Sequence, residues 1–155
     1  MFVTTQYVID KIGVNVLLQF ASGKFAEAGS YPTSDDVTTA LLGVPATELQ
    51  QQILAWYQSA EKNVTAIVSG FLPNADISQE QIDNSVLPGI ACDLLYFELA
   101  VNPGDDNIKA RKTSAMALLE KVSKGLIQIK EDAPAAARTG MRTKAAGTSF
   151  NWGGY

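Results

Sequence analysis

Through residues 47–71 large apolar side chains recur at steps of three and four. Leu49, Ile53, Trp56, Ala60, Val64, Ile67 and Phe71 share one line, the spacing of an amphipathic helix with a single buried face. Thr47 and Gln50 fit a capping box at its start, and Gly70 marks its exit. At roughly 1.5 Å per residue this helix is about 36 Å long, which is long for a small domain and demands a cover for its apolar stripe. The pattern therefore makes this helix the expected organising element.

Two later segments supply such a cover. In residues 85–101, Val86, Leu87, Ile90, Leu94, Phe97 and Val101 form a second helical stripe, widened by Ala91, Leu95 and Tyr96. Ser85 is the expected N-cap, which puts Pro88 in the first turn, where its missing N–H costs little. Asp93 and Glu98 then belong on the solvated rim. Residues 107–124 carry Ile108, Ala115, Leu118, Leu119 and Val122 inward, and Lys109, Arg111, Lys112, Lys121 and Lys124 outward. Asp105 or Asp106 caps this helix, and Gly125 follows its last turn.

The remaining pattern is weaker. Thr4 or Thr5 caps a short helix over residues 6–12 that stops at Gly13. Residues 15–20 are apolar and short, either a helical turn or a strand. Residues 21–33 contain Gly23, Gly29, Ser30 and Pro32 and read as a loop. A short helix over residues 36–42 follows, so that residues 21–46 form a loop-rich excursion. Residues 78–81 suit one further helical turn. Leu126, Ile127, Gln128, Ile129 and Lys130 partly alternate, which predicts a lone strand or extended arm that must pair with something. The expected fold is mainly α: a small helical bundle over residues 1–125 with one long helix. A short C-terminal strand and an extended C-terminal arm make up residues 126–155.

Charge sharpens this division. Residues 1–132 hold nine Lys/Arg and sixteen Asp/Glu, or −7, whereas residues 133–155 hold Arg138, Arg142 and Lys144 and no acid, or +3. An acidic body argues against a general nucleic-acid binder. The last segment is rich in Ala, Gly and Thr and ends with Phe150, Trp152 and Tyr155 between small residues. Basic side chains followed by aromatic anchors are the composition of an arm that seeks a pocket, expected on another molecule, with folding back onto its own domain as the alternative. The residues expected to make assembly contacts are thus Leu126, Ile127, Ile129, Arg138, Arg142, Lys144, Phe150, Trp152 and Tyr155.

Catalytic chemistry finds little footing. The chain has no histidine, the commonest general base and metal ligand. Its one cysteine, Cys92, sits among apolar neighbours and reads as a small buried hydrophobe. Ser22-Gly23-Lys24 lacks the frame of a phosphate-binding loop. Asp35/Asp36 and Asp105/Asp106 sit where caps are expected, although a two-metal carboxylate site is a conceivable alternative. No apolar run approaches the eighteen residues of a membrane span, and no signal peptide precedes the first helix. The sequence thus predicts no enzyme, no metal and no cofactor.

The order of parts resembles a known family. MFVTTQYVIDKIG opens the chain, and the long helix ends in Gly70-Phe71-Leu72-Pro73. A proline-started helix, LPGIACDLLYFELA, comes next. ARKTSAMALLEKVSKGLIQI then runs through a Lys-Gly stop into an apolar segment. Over roughly residues 1–130 this resembles the head–tail connector (adaptor) proteins of tailed bacteriophages, of the Mu-like kind. Ile90 to Leu94 and Lys124-Gly125-Leu126 are the most specific pieces. The resemblance implies a virion structural protein: a homo-oligomeric ring, commonly of twelve copies, in the head–tail neck. Its implied partners are the portal protein, a tail terminator or stopper protein, and DNA that passes without sequence-specific binding. The implied locations are the virion neck and, during assembly, the host cytoplasm. It carries no catalytic residues. A small cytoplasmic helical module that binds an ordinary protein partner is the alternative.

Overall fold

The computed structural model describes residues 1–72, 76–102 and 104–129. Among the described residues there are seven α-helices: α1 (Thr5–Ile12), α2 (Val14–Phe25), α3 (Ser34–Leu42), α4 (Glu48–Gly70), α5 (Gln79–Asp83), α6 (Leu87–Leu99) and α7 (Asp106–Ser123). A single 3-10 turn, Ala26–Ala28, follows α2.

Five of the helix starts are where their side chains dictate. Thr4, Thr33, Thr47, Ser78 and Asp105 each accept a hydrogen bond from an N–H in the first turn they precede. Thr33/Asp36, Thr47/Gln50 and Ser78/Gln81 complete reciprocal capping boxes. At α6 the N-cap is Val86 and not the expected Ser85, which stands one residue earlier and whose Oγ accepts the Leu87 N–H at 3.1 Å; Pro88 occupies the first turn as expected.

Helix α6, rather than α4, lies at the centre. It packs against α1, α4, α5 and α7, and eight of its thirteen residues are buried: Leu87, Pro88, Ile90, Ala91, Cys92, Leu94, Leu95 and Leu99. A helix apolar around most of its circumference has to be enclosed. Helix α4 lies between α3 and α6 and buries Gln50, Ile53, Tyr57, Ala60, Val64 and Val68. This line is shifted by one residue from the expected one at three places. Leu49, Trp56, Ile67 and Phe71 are half-buried on its flank, because two partner helices cover a wider arc than one would.

Helices α6 and α7 form an antiparallel hairpin. Arg111 reaches Asp93 at 3.6 Å and lies over the Tyr96 ring at 4.5 Å. Lys112 covers the Phe97 ring at 3.8 Å. Arg111 is exposed, as its outward position predicts, and Lys112 is half-buried; both also set their charged ends over aromatic faces.

Residues 21–46 depart from the loop-rich excursion that their glycines suggest. Helix α2 continues through Gly23 to Phe25, and α3 packs on both α2 and α4. Burial of Ala21 and Phe25, with Phe25 edge-on to Trp56 at 6.0 Å, outweighs the roughly 1 kcal/mol helix penalty of one glycine.

The expected strand is also absent from residues 126–129. Gly125 takes a left-handed conformation (φ 71°), and the Leu126 and Ile127 N–H groups both donate to the Lys121 carbonyl, at 2.9 and 3.4 Å. This C-terminal cap consumes the donors that a sheet ladder requires. Ile129 packs on the core. Lys130 and the expected arm lie outside the described residues.

Candidate assembly surfaces

The described part of the C-terminal region is the end of α7 and its cap. Leu126 is 73% exposed, while Ile127 and Ile129 are half-buried. Of the residues expected to make assembly contacts, Leu126 alone thus presents a large apolar side chain to solvent here. Arg138, Arg142, Lys144, Phe150, Trp152 and Tyr155 lie outside the described residues.

The second surface is a groove that the sequence pattern did not reveal. It lies between the end of α2, the middle of α4 and the end of α6, with a volume of about 380 Å³. Trp56, Ala100 and Val101 line it together with Lys24 and Glu98, so its lining is mixed in polarity. Val101 is 51% exposed, although its place in the heptad-like stripe predicts burial. The helix stops at Leu99, so Val101 falls beyond the last turn and follows the chain instead of the stripe. Val86, expected inward, is likewise exposed, because it is the N-cap and precedes the first turn. A Cβ at Gly23 would meet Val101 Cγ2 at 2.8 Å, so glycine there permits the close approach of the two walls. The available signals were Gly23 inside an apolar run and two adjacent aromatics, Trp56 and Tyr57, that cannot share one face.

A more polar cleft of about 220 Å³ lies where α1 meets α6 and α7, lined by Tyr7, Lys11, Gly89, Cys92, Asp93 and Arg111. Burial pushes the Cys92 thiol up to about 11, helped by the Asp93 charge and opposed by Arg111 and Lys11. A thiol so held is a poor nucleophile near neutrality.

The paired acids are divided by their surroundings. Asp36 accepts from the Thr33 hydroxyl at 2.7 Å, the Thr33 N–H at 3.0 Å and the Gln50 amide at 3.0 Å. These bonds, the Thr33 hydroxyl foremost, hold its carboxyl below the usual carboxylate range. Asp35 is exposed. Asp105 caps α7 through the Asn107 N–H at 2.8 Å, and Asp106 is an exposed partner of Lys109 at 3.8 Å. Among the described residues no three His, Cys, Asp or Glu side chains gather as a metal site would require, and no helix is long and apolar enough to cross a membrane.

Comparison with protein-family models, with curated proteins and with solved structures finds no match to this chain.

Proposed function

We propose that the chain is a structural subunit of the head–tail neck of a tailed bacteriophage, a connector (adaptor) that forms a ring between portal and tail and lines the DNA exit channel. The observation that carries this reading is the division of the molecule. An acidic helical body is followed, after the Gly125 cap, by a basic segment that ends in three aromatics. The resemblance of the sequence to that family rests on segments that form α4, α6 and α7, with Pro88 in the first turn of α6 and Gly125 after α7.

The physical logic follows from charge and symmetry. A wall carrying net negative charge repels the phosphate backbone, so DNA slides past without being held. Identical subunits joined head to tail close into a ring when the rotation permits. Weak contacts repeated around such a ring add up through avidity.

Cryo-electron microscopy of particles with this chain tagged provides the test. A ring of tag density between capsid vertex and tail is the expected result. Particles without this chain in the neck would overturn the reading and favour a small helical module with an ordinary protein partner.

A further inference from the structure

We draw no further inference here: the strongest candidate, the polar cleft where α1 meets α6 and α7, lined by Lys11, Cys92, Asp93 and Arg111, carries nothing because Asp93 already pairs with Arg111 at 3.6 Å and nothing in the structure shows what would occupy it.

Discussion

The Gln50 side-chain amide donates to the Asp36 carboxylate at 3.0 Å, joining the starts of α3 and α4. Gln50 is the only buried polar residue among those described, at 9% exposure. Its Oε1 accepts from the Ala46 and Thr47 N–H groups at 2.9 and 3.3 Å, while its Nε2 binds Asp36. Asp36 in turn belongs to the Thr33 capping box. Two local caps are thereby fused into one tertiary contact.

Removing either partner should therefore cost more than a lone cap. Asp36→Ala and Gln50→Ala are each expected to destabilise the fold by about 1–2 kcal/mol. A double-mutant cycle in urea should give a coupling of at least about 0.5 kcal/mol; additive effects would show that the two caps act separately.

The same carboxylate sets a pH dependence. Its folded-state pKa is depressed, with the Thr33 hydroxyl as the largest cause. The associated stability is present above the unfolded value, about 3.9, and is lost as pH falls through the lower folded value. Urea midpoints measured between neutral pH and strong acid should fall for the natural chain below pH about 4. In Asp36→Asn this part of the acid loss should be missing.

Tyr57 is buried at 2% exposure, and its hydroxyl forms no hydrogen bond of full geometry although Thr5 lies alongside. The ring contributes packing, and the oxygen adds a desolvation cost. Tyr57→Phe should be neutral or stabilising by up to about 1 kcal/mol, whereas Tyr57→Ala should lose about 3–5 kcal/mol. A Phe variant as damaging as the Ala variant would show that the hydroxyl is bonded.

Cys92 should resist thiol reagents in the folded chain. It is 6% exposed with its pKa raised to about 11 by burial. Ellman's reagent near pH 8 should label it at a rate set by unfolding, and at once in denaturant. Linkage adds a second readout. Stability tied to the protonated thiol is complete below the unfolded value of about 8.5. It declines as pH rises toward the folded value of about 11.

Gly125 has φ 71° with open space around its Cα. Gly125→Ala should cost about 1 kcal/mol through the left-handed backbone alone, with Gly125→Asn costing less. Thermal melts of the two variants distinguish this from a packing effect, which would penalise the larger Asn more.

Local chemistry was the most legible part of the sequence. Thr47 and Gln50 complete their box within four residues, so no distant partner has to be known. The identity of the central helix was not legible, because the stripe on α4 is more regular than that on α6, and regularity marks a boundary with water. Which of Trp56 and Tyr57 turns inward depends on neighbours that a one-helix pattern omits: Phe25 of α2 stands edge-on to Trp56, and Thr5 of α1 lies beside the Tyr57 hydroxyl. Residues 126–130 have the alternation of a strand, yet the Gly125 cap fixes the fate of their first N–H groups. The groove escaped notice for a similar reason: Gly23 and Val101 are far apart in sequence, and only packing brings them together.

Enclosure of α6 by four other helices makes it an axle to the molecule. One methylene added or removed on that rod is felt on several sides at once, since close-packed interiors transmit strain. Solvent-facing positions of α3 and α7 carry no such burden. Adaptation to a new neighbour therefore has a cheap route through the rind, and the axle can stay as it is.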